Sequence, residues 1–238
     1  MRDVTTLQPT SNRPLVDIDL GELNAISKEL EHKPASAAIK WAHERFGDGL
    51  VLAASFQDCV LIDVASNAVP GIEVVFLDTQ YHFAETLWYV ERMRERYNLN
   101  LTVMHPLVPP DDLWQTDTDE CCAMRKVEPL ARALGGKQAW MSGLRRVEAP
   151  SRANAQIAHL DVGRGIVKVN PLAAWTDDDI DTYKRDHDLM EHPLVAQGYP
   201  SIGCWPCTRA VKPGEDRRAG RWSDEGKTEC GLHGWPQP

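Results

Sequence analysis

Cys121 and Cys122 are adjacent, Cys204 and Cys207 are separated only by Trp205-Pro206, and Cys230 lies near the C-terminus in Glu229-Cys230-Gly231-Leu232-His233. Two thiol pairs can close one metal site across a fold, and four thiolates suit zinc or an iron–sulfur cluster. Adjacent cysteines fit two corners of one tetrahedral zinc poorly, since zinc sites use spaced pairs. The Cys204-x-x-Cys207 pair taken alone reads as a redox dithiol or as half of a metal site. Cys230, outside both pairs and beside glycine, suits nucleophilic or redox work. Cys59, in an apolar run, reads as a small core residue. Lys126 follows Cys122 by four positions, which places both on one helix face if the segment is helical from Cys121. A helix N-terminus and a nearby ammonium would both favour thiolates there.

Arginine supplies a second kind of chemistry. Arg145, Arg146 and Arg152 follow Ser142-Gly143, and Arg209, Arg217, Arg218 and Arg221 lie between the second cysteine pair and Cys230. In a chain of net charge −9, this local density fits a phosphate- or sulfate-bearing ligand, which guanidinium grips in a planar fork. Each such bond contributes roughly 1.5–3 kcal/mol when shielded from water. Glu148, Glu215 and Asp216 could instead pair some of these arginines on a solvated face. The overall acidity argues against a general nucleic-acid binder. No apolar run is long enough to span a bilayer, and Met1–Pro14 has no signal-like core, so a cytoplasmic setting is expected. Thiols stay reduced there, and paired cysteines read as ligands or redox groups rather than structural disulfides.

These groups need a scaffold, and the apolar pattern supplies one. Short runs at Leu50–Ala54, Glu73–Leu77, Leu101–Met104, Ala139–Ser142 and Ile166–Val169 read as strands. Helical spacing is visible over Ser36–Phe46, Asp58–Ala68, Phe83–Tyr97, Cys121–Leu134 and Asp177–His187, the last with Thr176 as its N-cap. Alternation of this kind predicts an α/β fold, a mainly parallel sheet flanked by helices. Ligands bind such sheets beyond the carboxyl ends of the strands, where Ser55, Asp78 and Ser142 fall. The Ser55-Phe56-Gln57-Asp58 turn could hold an anion at a helix N-terminus; it lacks the glycines and lysine of a Walker loop. Residues 1–20 read as a flexible lead-in, 21–208 as the α/β domain, and 209–238 as a mobile tail carrying Cys230. Gly220, Gly226, Gly231 and Gly234 would let that tail hinge.

From about residue 45 onward the chain resembles the assimilatory adenylylsulfate reductases, the iron–sulfur branch of the phosphoadenylylsulfate reductase family. The matching pieces are Cys121-Cys122-x-x-Arg125-Lys126-Val127-x-Pro129-Leu130, Leu77-Asp78-Thr79, Pro171-Leu172-x-x-Trp175-Thr176, Gly198-Tyr199-Pro200-Ser201-Ile202-Gly203-Cys204-x-Pro206-Cys207-Thr208, Arg218-x-Gly220-Arg221-Trp222 and Glu229-Cys230-Gly231-Leu232-His233. Gln80 stands where the family often has Gly, and Val147-Glu148-Ala149 replaces the common Asp-Gln-Ser. The resemblance implies an adenine nucleotide alpha hydrolase-like fold and a 4Fe–4S cluster on Cys121, Cys122, Cys204 and Cys207. It implies that Cys230 is the nucleophile, with Lys126, Arg152, Arg218, Arg221 and His233 around the phosphosulfate and Ser55, Asp78 and Thr79 as further substrate contacts. The implied activity is reduction of adenosine 5′-phosphosulfate (APS) to sulfite and AMP through a cysteine S-sulfonate, resolved by thioredoxin or a similar dithiol. A homo-oligomer is compatible with it. The rival readings are a reductase of 3′-phosphoadenylylsulfate (PAPS) and a zinc-stabilised thiol sensor without catalysis.

Overall fold

The computed structural model describes residues 16–223, 227 and 229–233. Its elements in chain order are α1 (Leu20–Leu30), α2 (Ala35–Phe46), β1 (Leu50–Ala54), α3 (Val60–Ala68), β2 (Glu73–Leu77), α4 (Ala84–Tyr97), β3 (Asn100–Met104), α5 (Leu113–Thr116), α6 (Thr118–Cys122), α7 (Glu128–Ala133), β4 (Ala139–Ser142), β5 (Ala158–Asp161), β6 (Ile166–Val169) and α8 (Asp177–Asp186). The strands form one sheet in the order β3-β2-β1-β4-β6-β5. All neighbours are parallel except the edge strand β5, which runs antiparallel to β6.

Alternating side chains on each strand feed two apolar layers. Leu50, Leu52, Val74, Phe76, Met141, Val167 and Val169 face a large cluster shared with α1, α2, α3, α4 and α8. Val51, Val75, Trp140 and Ile166 face the other side, against Leu130 and Leu134 of α7 and its C-terminal border, with Leu232 of the tail packed onto the same layer. Burying one such Leu or Val stabilises the fold by roughly 1.5–3 kcal/mol.

Local chemistry fixes the element ends. Thr176 and Asp179 form a capping box at the start of α8, and Asn98 closes α4 in the left-handed conformation at φ 47°. The five strands expected from the apolar runs are present, within one residue at their ends. Four features depart from expectation, one of them the single-turn α5 over Leu113–Thr116. α1 was not foreseen; it starts on Asp19, whose side chain accepts from the Glu22 amide at 2.8 Å. β5 was also missed: its residues, Ala158-His159-Leu160-Asp161, are half polar, and it pairs against the parallel grain. The segment Cys121–Leu134 is not one α-helix: α6 begins at Thr118, a π-turn spans Ala123–Val127, and α7 follows. Pro129 is the physical cause we assign, because its ring cannot donate to, and would clash with, the carbonyl four residues back in a regular helix. Cys121 and Cys122 therefore sit in the last turn of α6 rather than at a helix N-terminus.

Of the lead-in, residues 1–15 lie outside the described residues, while Val16 and Ile18 pack against the larger apolar cluster. After Pro193 the chain crosses the carboxyl end of the sheet as an arm, with an antiparallel bridge between His82 and Cys204 and another between Thr208 and Arg221. Gly226 and Gly234, expected as hinge residues, lie outside the described residues.

Candidate functional site

The strand order reverses at β1, which lies between β2 and β4. Loops leaving β1 and β4 diverge there, and the crevice between them is where open α/β sheets bind ligands. Ser55 follows β1 and Gly143 follows β4, and both line the cavity at this point. Phe56 takes a left-handed φ of 56° and buries its ring edge-on against Phe76 at 5.4 Å. Ser142 donates to Asn170 Oδ1 at 2.9 Å, tying the ends of β4 and β6 together.

A group of thiols lies beside this cavity; of Cys121, Cys122, Cys204 and Cys207, only Cys204 lines it. α6 carries Cys121 and Cys122, and the arm returns Cys204 to pack against Cys121 and Tyr81. Cys207 follows on the short turn Trp205–Cys207. All six cysteines are free thiols. Leu113 and Trp114 lie against this group, and Trp205 meets Trp114 edge-on at 5.5 Å and Tyr81 at 6.4 Å, so an aromatic shell shields it from water. Burial pushes the Cys121 thiol above its ordinary pKa, and the neighbouring Cys122 and Cys204 add to this. A set of thiols that oppose one another's ionisation fits a multivalent positive centre. Among the described residues no three His, Cys, Asp or Glu side chains are arranged to hold a single metal ion.

Cations and apolar side chains share the cavity's lining. Lys126, Arg145, Arg152, Arg218 and Arg221 face it, against the carboxyls of Asp58, Glu148 and Glu229. Burial works to lower the Lys126 pKa, but Cys204, Cys230 and Cys122 around it prevail and hold it above the ordinary lysine value. Arg218 is held below the ordinary guanidinium value by burial, then by Arg221 and Arg152. Buried nitrogens Nε of Arg221 and Nη1 of Arg145 have no hydrogen-bond partner, donors that an anion in the cavity would satisfy. Trp222 sits under three cations, Arg221 at 4.6 Å, Lys227 at 5.6 Å and Lys126 at 5.9 Å from its ring centre. Gly203 lets Arg221 lie against the cysteine loop, since a Cβ there would stand 2.4 Å from a guanidinium nitrogen.

The tail lies over this cavity. Glu229 grips Arg152 with both oxygens at 2.7 Å, and Glu148 holds another nitrogen of the same guanidinium. Lys227 pairs with Asp119 at 2.7 Å and donates to the Thr118 carbonyl at 2.8 Å. Between these anchors and His233, Cys230 faces the cavity.

The structure thus brings Ser55, Thr79, Lys126, Arg152, Arg218, Arg221, Cys230, His233 and Cys204 to one cavity. Asp78 is not among its lining residues; its carboxylate pairs with His105 at 3.4 Å and accepts from the Gln80 amide. Thr79 Oγ1 lies 3.2 Å from Cys204 Sγ, so it touches the thiol group as well as the cavity. Carboxylates account for part of the arginine density: Arg209 pairs with the expected Glu215 at 2.8 Å, and Arg217 lies 3.6 Å from Asp177, a partner not foreseen. Sequence reasoning missed Trp140, Lys168 and Arg164 beneath the tail. A visible signal existed for Lys168, a lysine inside a wholly apolar strand, where that residue type is rarely buried without a partner.

Comparison with known proteins agrees with this geometry. Residues 49–210 match the family model of the phosphoadenosine phosphosulfate reductase domain. The adenosine 5′-phosphosulfate reductase of Mycolicibacterium smegmatis is 44% identical, over 98% of this chain and 99% of that protein. The protein of the same name from Streptomyces coelicolor is 44% identical, over 90% and 95%. Among solved structures, a phosphoadenylyl-sulfate (PAPS) reductase from Candida auris superposes with a TM-score of 0.72 at 24% identity, covering 83% of this chain and all of the other. An FMN adenylyltransferase from Candida glabrata gives 0.58 at 15% identity over 84% of this chain and 72% of the other. These last two likenesses establish the fold.

Proposed function

The chain belongs to the phosphoadenosine phosphosulfate reductase family, and from that premise we propose that it reduces APS to sulfite and AMP in assimilatory sulfate reduction. One observation carries the reading: Lys126, Cys204 and Cys230 line one cavity, in which cations outnumber carboxylates. The near-full-length likeness to proteins named adenosine 5′-phosphosulfate reductase supports APS over PAPS.

The Cys230 thiolate attacks the sulfur of APS, a new S–S bond forms, and the bond from sulfur to the phosphate oxygen breaks. AMP leaves with that electron pair, and Cys230 holds an S-sulfonate. A thiolate of a thioredoxin-like dithiol then attacks Cys230 Sγ and expels sulfite. Its second thiol closes the donor's disulfide and returns Cys230 reduced, so the dithiol supplies both electrons. Lys126, Arg152, Arg218 and Arg221 neutralise charge on the sulfate and the departing phosphate, where preorganised donors act most strongly. Cys121, Cys122, Cys204 and Cys207 would hold a 4Fe–4S cluster, which when bound supplies a fixed positive core for their thiolates. Glu229 leaves the Arg152 fork as the substrate anion takes its place.

The test is mass spectrometry of the anaerobically purified chain mixed with APS and no reductant. One SO₃ unit on the peptide bearing Cys230 is expected; an unmodified Cys230, or an adduct elsewhere, overturns the reading. The reading sets the reaction in the cytoplasm, and no helix among the described residues is long and apolar enough to cross a membrane.

A further inference from the structure

We infer that Lys168 is a positioning residue of this reaction: it seats His233, and through His233 the Cys230 segment, on a socket built from β4, β5 and β6. The inference rests on the proposed role of Cys230 and deepens it. Lys168 is 3% exposed in a strand whose other members are apolar. A buried amine needs a partner to offset its lost hydration. Its Nζ lies 4.6 Å from the centre of the Trp140 ring and 2.9 Å from His233 Nδ1. The His233 ring stacks parallel to Trp140 at 6.0 Å. Asp161 braces the socket, accepting from Trp140 Nε1 at 3.2 Å and from Arg164 at 2.9 Å. Arg164 in turn donates to the Leu232 carbonyl at 3.1 Å. Both outward contacts of the socket therefore land on the two residues that follow Gly231, next to the nucleophile.

The pair also sets the imidazole's proton. Burial holds His233 well below the ordinary imidazole pKa, with Lys168, Arg152, Arg164 and Arg218 adding to it, so the ring is neutral. A protonated Lys168 has no acceptor, so in that state it donates to Nδ1 and the ring's proton sits on Nε2. A charged Lys168 thus presents His233 as a neutral Nε2–H donor on the cavity wall, the form suited to an oxyanion. Asp161, Arg164, Arg152, Glu229 and His233 are the charged and titratable groups that act on Lys168, and His159 feels it in turn.

Lys168→Met, His233→Ala and the double variant test this with two readouts. The first is single-turnover formation of the Cys230 adduct. Lys168→Met should slow it about tenfold, the effect of one lost hydrogen bond, with APS affinity changed less than twofold, and the double variant should be no slower than His233→Ala. The second is iodoacetamide labelling of Cys230 without substrate, which Lys168→Met should accelerate severalfold by freeing the tail. An unchanged labelling rate, or effects that multiply in the double variant, overturns the inference. If wild-type protein forms no adduct, the proposed reaction fails, and the labelling result still decides the role of Lys168.

Discussion

Lys126 illustrates how much one side chain is asked to do. Burial works against its charge while the thiols around it work for it, and it lines the same cavity as Cys230. Lys126→Ala should slow adduct formation by roughly tenfold or more, the loss of one charge-assisted bond, measured by single-turnover mass spectrometry; an unchanged rate would remove its role. Cys230→Ser should bind APS with near-native affinity and form no adduct, which calorimetry and mass spectrometry together check. Gln80 is instructive in another way. It adopts φ 69°, a conformation suited to glycine, and its side chain accepts from Arg125 at 2.5 Å. Arg125 is 1% exposed and also donates to the Pro109 carbonyl at 2.7 Å. Arg125, next to Lys126 in the chain, is thus a clamp on the loop around Tyr81.

At the scale of elements, the arm decides where Arg218 and Arg221 stand. Its two limbs pair through Arg209 and Gly220, whose amide–carbonyl bond measures 2.9 Å. A Cβ on Gly220 would fall 2.2 Å from the Arg209 carbonyl oxygen, and backbone cannot yield as a side-chain tip can. Gly220→Ala should cost roughly 1–3 kcal/mol of stability through this overpacking and should weaken APS binding along with it. Native stability together with native affinity would sink that account of the arm. Thr176→Ala serves as the contrast. Loss of its cap bond to Asp179, 3.1 Å from amide to hydroxyl, should cost about 1 kcal/mol and leave the adduct rate alone, as read by thermal denaturation beside single-turnover kinetics. The π-turn belongs here too. By widening the helix ahead of Pro129, it separates Lys126 from a regular helical register while keeping it beside Cys122.

For the whole molecule, sulfur and charge bind distant parts of the chain to one reaction. Cys204→Ser removes a thiol from the group shared by α6 and the arm, and iron content and activity should fall together; a colourless, active protein would defeat the cluster. Titration gives a second test. Lys168 has its pKa depressed to about 7, by burial in the first place, with Arg164 and Arg152 adding to it and Asp161 opposing. The unfolded chain keeps a lysine near 10.4, so it binds more protons than the native state between those values. This penalty is therefore full below about pH 7 and fades as pH rises toward 10. Lys168→Met should raise the melting temperature most at pH 7 and below, with the gain shrinking toward pH 10. A pH-independent difference would show that Lys168 does not titrate between native and unfolded states. Greater stability with poorer adduct formation is the trade expected of a functional buried charge.

Strand positions, the sheet's parallel character and the thiol and cation inventory were legible in the amino-acid sequence because each depends on residue type and short-range spacing. Alternation along β1 is enough to place Leu50 and Leu52 opposite Val51, and the two close pairs, Cys121-Cys122 and Cys204-x-x-Cys207, are visible without coordinates. What only the tertiary structure decided was convergence. The apparent equivalence of Asp78 and Thr79 in one motif dissolved when β2 ended with the first turned to His105 and the second to Cys204. Lys168 and Trp140 gained a place beside the tail because non-adjacent strands and a distant terminus meet there, and no local pattern encodes that meeting. Local propensity acts over a few residues, whereas a cavity lined by positions 55, 126 and 230, with Lys168 behind it on His233, exists only once the sheet has gathered those segments.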